Sequence, residues 1–309
     1  IYITFDKKRK IKWPCNFIKT KNLQNEMSEN DILFCFERIP QKYLNTISEI
    51  TKNLYLMINY EYYDRDLLKY YNLFKTIFCK SQYAYEECKK DKLDFVKYMP
   101  WILWEFPVTN VKQLDEKIKI IFNGGTGGYK DRRNLESVIN LFKDYVDDNV
   151  ELTIKLTKDL RRWTKRILSR NKSFINNDNR INLIQATYNR QEYIEFLKQF
   201  DINLCPSKYE GFGLTLLEGL HSRLASITIN QSPMNEIILN DENGFCVKNI
   251  PIDKIRNQQI YDVDRKHFYK KFNDLVNNEK LIMLMKQNTI KIIDKNEDRF
   301  KKYFNKIIK

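Results

Sequence analysis

Glycine is scarce in this 309-residue chain: there are eight, and none before position 124. Histidine is scarcer, with only His221 and His267, both in the second half, so a histidine base supplied by the first half is excluded. The six cysteines lie far apart, mostly in apolar runs such as "ILFCF" and "TIFCK", and no CxxC occurs. That excludes a paired disulfide framework and a dithiol redox motif, and reads as free thiols in a reducing compartment. No apolar run approaches the roughly 18 residues that a membrane span requires, and no secretory leader pattern opens the chain. The expectation is a soluble, cytoplasmic protein. Internal repeats and low-complexity tracts are absent as well.

What is abundant is positive charge: 54 Lys and Arg against 40 Asp and Glu give +14. Such a field attracts nucleic acid, an anionic membrane surface or phosphorylated small molecules alike. The basic residues are scattered among acidic ones instead of forming a basic arm, which disfavours nucleic acid. The terminal "RFKKYFNKIIK" is the local exception and leaves a weak association with anionic membrane open.

Apolar β-rich runs alternate with stretches of helical period, the pattern of an α/β protein built on parallel strands. In the first part strands are expected at 31–37, 54–60, 75–79 and 94–100, with helices near 41–52, 64–72 and 81–91. The first 30 residues give no clear period. Around "WEFPVTNVKQLDEK" the pattern turns polar, and a new series begins with "KIKIIFN". It continues through "VELTIKL", "RINLIQAT", "DINLCPS", "SITIN" and "GFCVK", then ends in helices over 264–309. Domains of 1–110 and 111–309 are therefore expected.

Seven of the eight glycines fall in two clusters of this second series. Gly124, Gly125, Gly127 and Gly128 form a turn after an apolar strand, followed by Lys130, Arg132 and Arg133 and then a helix with Leu135, Val138, Ile139 and Phe142 on one face. Exposed turn amides beside cations make an anion site, most naturally for phosphate. The spacing is neither a Walker A loop nor the dinucleotide G-x-G-x-x-G. The second cluster, in "CPSKYEGFGLTLLEG", opens a helix at the carboxyl edge of a strand, where α/β sheets bind ligands. Glu210 precedes its turn and Glu218 lies about one helical turn beyond, so both can address one ligand bearing phosphates for the amides and hydroxyls for the carboxylates. Helix capping and dipole complementation are the plainer reading of the same acids.

"PSKYEGFGLTLLEG", with glutamates separated by seven residues, resembles the donor motif of retaining glycosyltransferases of family 4, whose fold is GT-B: two Rossmann-like domains with parallel sheets facing a cleft. "GGYKDRRNL" and "NQSPMNEIILNDENGFCVK" resemble that family's glycine loop with its basic-Asn dipeptide and its later acidic turn, so the likeness runs over about 119–248. The resemblance implies a metal-independent transfer from a nucleoside diphosphate sugar, UDP- or GDP-linked, with no other cofactor, to a glycan, lipid or protein acceptor. It implies Glu210 at the donor sugar and Glu218 at the ribose. Gly211, Phe212, Gly213, Leu214 and Thr215 would face the diphosphate, with Gly127 and Gly128 in the first loop. Arg133 would neutralise the leaving diphosphate, seconded by Lys130 or Arg132. Another GT-B reaction, such as epimerisation or phosphorolysis, and a degenerate scaffold that binds nucleic acid or membrane are the competing readings.

The chain departs from the family at "GLHSRLASITI", where Arg223 and Ala225 stand at positions commonly Gly and Pro, and at the first loop, where the usual following arginine is missing. By the same resemblance the first domain is short, and the terminal helix would pack back on it. On the acceptor side, "MINYEYYDRDLL" places Asn59, Glu61, Tyr62 and Asp64 at a strand's carboxyl edge. Trp101 and Trp104 read as core more than as a sugar platform, and both histidines as structural or surface residues.

Overall fold

Short runs of buried β-branched and aromatic residues set the strands, and polar caps set where the helices between them begin. The structure is a computed structural model that describes residues 2–4, 17–19, 23–37, 39, 41–103, 106–255 and 258–308. The chain divides into two compact units, Ile1–Met99 and Pro100–Lys309. Trp104 and, among the six cysteines, Cys15 lie outside the described residues.

In the first unit, β1 (Tyr2–Thr4) and β2 (Phe17–Lys19) form a parallel pair, and α1 (Leu23–Glu26) follows. Next come β3 (Leu33–Glu37), α2 (Gln41–Ile50), β4 (Leu54–Ile58), α3 (Leu68–Tyr71), β5 (Thr76–Cys79), α4 (Gln82–Lys90) and β6 (Val96–Tyr98). The strands β3 to β6 make one parallel sheet in sequence order. All five residues of β4 are buried, as a strand covered on both faces requires. The helix expected near 64–72 is instead a 3-10 turn, Arg65–Leu67, running into the short α3. The Asp64 carboxylate accepts from the Asp66 amide at 3.0 Å, which favours the tighter turn.

The second unit contains β7 (Ile118–Gly125), α5 (Leu135–Asp144), β8 (Val150–Leu156), α6 (Arg162–Arg170), α7 (Lys172–Asn177), β9 (Ile181–Gln185) and α8 (Arg190–Leu197). It continues with β10 (Ile202–Cys205), α9 (Leu214–His221), β11 (Ala225–Ile229), α10 (Met234–Ile237), β12 (Gly244–Val247), β13 (Asn249–Ile255), β14 (Gln258–Val263), α11 (Arg265–Val276) and α12 (Glu279–Ile308). Six strands form a parallel sheet in the order β12-β11-β10-β7-β8-β9. The chain reverses direction of build between β7 and β10, and the crevice at such a reversal is where doubly wound sheets bind ligands. Both glycine-rich loops leave the sheet there.

The segment after Pro100 packs with this second unit: Phe106 is buried, and the Thr109 amide donates to the His221 carbonyl at 2.8 Å. Long α12 lies against α9, α11 and β11. Its Lys286 ammonium is buried on Asp201 at 2.8 Å, and Trp101 stacks edge-on to its Phe300 with centroids 6.1 Å apart. The antiparallel hairpin β13–β14 has no counterpart in the sequence reading. Pro251 and a register shift near Pro251 and Asp253 interrupt its alternation, which hides the strand period.

Gly127 has φ +85°, and a Cβ there would lie 1.7 Å from the Thr164 hydroxyl. Gly127→Ala is therefore expected to cost about 2 kcal/mol or more and to lower the melting temperature by several degrees. An unchanged thermal transition would contradict this packing of the loop on α6.

Candidate functional site

The loop between β7 and α5 is held in an unusual backbone path. Gly125, Gly127 and Gly128 have positive φ, and so do Lys130, Asp131 and Asn134. Three side-chain L-residues in the left-handed region persist only where neighbours over-determine them. Buried Asp131 supplies part of that restraint by accepting from the Leu135 and Glu136 amides at 3.0 and 3.2 Å. Burial pushes its carboxyl up to about 6, against the opposing pull of Lys208 and those amides. Fully buried Asn134 donates from Nδ2 to the Pro206 carbonyl at 3.1 Å and to Asp262 Oδ1 at 2.8 Å. It thus ties this loop to the one after β10 and to the hairpin.

The second loop carries Glu210, Gly211, Phe212 and Gly213 into α9. Gly213 is the N-cap, at φ +82°; its carbonyl accepts from the Leu216 and Leu217 amides at 3.0 and 3.3 Å, and the Leu214 and Thr215 amides before them lie ahead of the helix's own bonds. The hairpin braces this loop, since Gln258 Nε2 donates to the Glu210 carbonyl at 3.2 Å and the Tyr261 amide to the Lys208 carbonyl at 3.1 Å. Glu210 is buried, 3% exposed. Arg132 Nη2 donates to its Oε2 at 2.6 Å, and Arg133 Nη1 donates to its Oε1. Burial raises the carboxyl, but the two guanidinium groups, Arg133 first, outweigh it and hold Glu210 below the usual carboxylate range. Two cations and one anion, set at the positive end of α9, leave a net positive site.

Beside this cluster lies a cavity of about 390 Å³ bordered by Asn123, Gly125, Arg133, Lys155, Tyr193 and Glu218 among others. Asn123 Nδ2 donates to the Tyr193 hydroxyl at 2.5 Å, and that hydroxyl donates to Glu218 Oε2 at 3.1 Å. Burial pushes Glu218 up to about 7, opposed by Tyr193 and by the charges of Arg133 and Lys155. The pair of glutamates thus differs in state: one is clamped as an anion, while the other titrates near neutrality.

The structure brings together Glu210, Arg132, Arg133, Gly213, Leu214, Thr215 and Glu218. Leu214 and Thr215 line the cavity, and Phe212 is partly buried beside buried Gly211. Lys130 is not brought to the pair: its ammonium sits on Asp253 of the hairpin at 2.9 Å, half exposed. Of the first loop it is Gly125 that borders the cavity. The Gly127 amide donates to the Gly124 carbonyl at 2.8 Å, and a Cβ on Gly128 would meet the Cβ of Arg132 at 2.7 Å. These two glycines shape the loop that carries the arginines. Lys155, on the cavity wall, escaped the sequence reading because "VELTIKL" reads as an ordinary strand. The available signal was a lysine one residue from the carboxyl end of a strand whose other positions are mostly apolar.

His221 is buried with Nδ1 2.6 Å from the Phe106 carbonyl, and His267 Nδ1 accepts from the Lys248 amide at 3.1 Å. In the first unit, Asn59 follows β4 and is buried, with Oδ1 lacking a hydrogen-bond partner. Glu61 lies in the 3-10 turn Tyr60–Tyr62 that follows. Lys80, just past β5, is pushed down to about 8 by burial, opposed by the charges of Glu37 and Glu61. Among the described residues, no group of three His, Cys, Asp or Glu side chains is arranged to hold a metal ion, and no helix is long and apolar enough to cross a membrane.

Solved structures share this fold. TarM of S. aureus matches at TM-score 0.71 and 14% identity, over 93% of this chain and 57% of TarM. The pneumococcal O-GlcNAc transferase GtfA, in complex with UDP and GlcNAc, matches at TM-score 0.67 and 16% identity over 93% of this chain and 58% of GtfA. An α,α-trehalose-phosphate synthase (UDP-forming) from Burkholderia xenovorans matches at TM-score 0.71 and 7% identity, covering 93% and 75%. The chain thus spans less than three-fifths of the length of TarM and GtfA. No curated protein sequence matches it. The architecture is that of GT-B glycosyltransferases, an α/β fold with parallel sheets. The sequence model of glycosyl transferases group 1 matches residues 108–292, the stretch that holds both glycine loops and both glutamates, and the chain belongs to that family.

Proposed function

We propose that the chain is a retaining glycosyltransferase of family 4 type that transfers a sugar from a nucleoside diphosphate donor, with UDP and GDP as the candidate carriers. The observation that carries the reading is the Arg132–Glu210–Arg133 cluster at the N-terminus of α9, with Glu218 on the adjoining cavity. The α9 amides and Arg133 face the position of a diphosphate, Glu218 accepts the ribose hydroxyls, and the sugar lies toward Glu210. Charge that develops on the leaving diphosphate meets fixed cations and a helix dipole, which need no metal ion and no reorganisation at the moment of reaction.

Retention follows from a reaction on one face of the sugar, in which the departing phosphate helps to deprotonate the acceptor hydroxyl. The state of Glu210 supports this over a covalent route: a buried carboxylate with both oxygens engaged by guanidinium groups is a weak nucleophile. UDP in the GtfA complex and the UDP-forming activity of the trehalose-phosphate synthase support a nucleoside diphosphate donor. Asn59 and Glu61 stay the acceptor-side candidates.

The test is thermal denaturation with UDP, GDP and ADP and with their sugars. A ligand at 100 times its Kd adds about 2.7 kcal/mol to the native state, so at least one nucleoside diphosphate should raise the melting temperature by several degrees. Its sugar should be turned over with release of that diphosphate. No shift with any of them at millimolar concentration would remove the donor assignment.

A further inference from the structure

The ammonium of Lys155 is a buried cation without an ion-pair partner, although the charge of Glu218 on the same cavity acts on it. The residue is 8% exposed and borders the cavity. Among the described residues it makes no hydrogen bond and no ion pair. Two aromatic rings lie close to it, Tyr188 with its centroid at 5.7 Å and Tyr193 at 5.4 Å. The other face of β8 shows what this strand wants for stability alone: Val150, Leu152, Ile154 and Leu156 are all fully buried in the core. A charge held at such a depth with no hydrogen bond and no ion pair is costly unless a ligand supplies its partner.

The sheet order says which part of a donor reaches it. The α9 amides and Arg133 stand at the gap between β10 and β7, whereas Lys155 is one strand further out, on β8. Glu218 and Tyr193, joined by their hydrogen bond, belong to α9 and α8. The cavity then continues to Thr187, Tyr188 and Asn189 in the loop between β9 and α8. A nucleotide whose diphosphate sits on α9 and whose ribose meets Glu218 has only its base left to extend toward β8 and β9.

We propose, on the footing of the donor reading above, that Lys155 reads the donor's nucleobase by donating to a carbonyl oxygen, and so selects a keto base, uracil or guanine, over adenine. An ammonium has three donors and no acceptor. It rewards a carbonyl edge and gains nothing from an exocyclic amino group. The flanking tyrosine rings lie beside the ammonium without taking its hydrogen bonds, which leaves its hydrogens for the ligand. A site built to hydrogen-bond one feature of a substrate discriminates strongly against the analogue that lacks it.

Calorimetry with UDP, GDP, ADP and inorganic pyrophosphate on the wild type, Lys155→Met and Lys155→Gln tests this. The wild type should bind UDP or GDP at least about tenfold tighter than ADP, and the tighter of the two names the base. Lys155→Met should weaken that nucleotide by about 10- to 100-fold, the range of one charge-assisted hydrogen bond, while ADP and pyrophosphate change little. Lys155→Gln, which keeps an N–H donor, should recover part of the preference, as a purely structural role would not. Loss of an unpaired buried charge should leave the ligand-free melting temperature of Lys155→Met at or above that of the wild type. An equal loss for all four ligands would place the lysine on the diphosphate and overturn the proposal, as would no loss at all. If the wild type binds none of the three nucleotides, the donor reading itself has failed.

Discussion

Replacing Arg133 with methionine is expected to lower the rate of sugar transfer by about 10²- to 10³-fold, the range seen when one pre-organised charge donor is removed from a site of developing negative charge. Of the two arginines on Glu210, Arg133 is the one that borders the cavity, and its Nη1 also lies 3.5 Å from the Thr215 hydroxyl in the first turn of α9. Arg132 is committed to the protein. Its Nε donates to the Tyr209 carbonyl at 3.2 Å, and its guanidinium lies 5.0 Å from the Tyr209 ring centroid. Because Glu210 keeps Arg132 at 2.6 Å in the variant, Arg133→Met does not leave a bare buried carboxylate, and the melting temperature should fall by only a few degrees. Arg132→Met should show the reverse balance, with a larger thermal loss. A donor whose leaving group is a nitrophenolate, already stable as an anion, should suffer much less from Arg133→Met than the diphosphate sugar does. Equal losses on both donors would mean that Arg133 positions the site without stabilising the departing charge.

That the two arginines share Glu210 was not legible in the chain, and the reason is physical. The three residues are each recognisable locally, but 77 or 78 positions separate the partners, and only the packing of two loops at one sheet reversal makes them an ion cluster. The strands were readable because parallel, doubly covered strands need near-continuous apolar runs, as in β4, and because the glycine turns marked where β7 and β10 end. Lys130 shows the opposite case. Sequence proximity to Arg132 and Arg133 pointed it at the phosphate, yet its left-handed backbone and Asp253 carry it to the surface. Asp253 belongs to a hairpin whose polar composition and proline give no strand signal, so the competing partner was invisible. Lys155 was missed for a related reason: a lysine in a strand reads as solvent-facing until the cover of Tyr193 on α8 and Tyr188 in the loop before it is known.

Glu218→Gln separates what this residue does for the ligand from what it does to the fold, because burial raises its carboxyl from the ordinary glutamate value of 4.5 to about 7. Between these two values the native state holds a proton that the unfolded chain has released. Native stability from this group is therefore complete below the unfolded value and is lost as pH rises through about 7. Glutamine carries no such dependence, and it still accepts the Tyr193 hydroxyl. At pH 8 the variant should be more stable than the wild type by about 2 kcal/mol, because solvent reaching the partly exposed carboxyl screens part of the full shift, and the gap should close toward pH 5. Nucleotide binding should move the other way. The ionised carboxylate is the better acceptor for two ribose hydroxyls, so the wild type should exceed the variant by about 10- to 100-fold in affinity at pH 8 and by much less at pH 5.5, where both side chains are neutral. Taking the ratio of wild type to variant at each pH cancels the titration of the ligand's own terminal phosphate, which has a pKa near 6. A ratio that stays flat across this range would show that the Glu218 charge is not used to hold the donor, and a variant less stable at pH 8 would show that the buried carboxylate is satisfied by the protein alone.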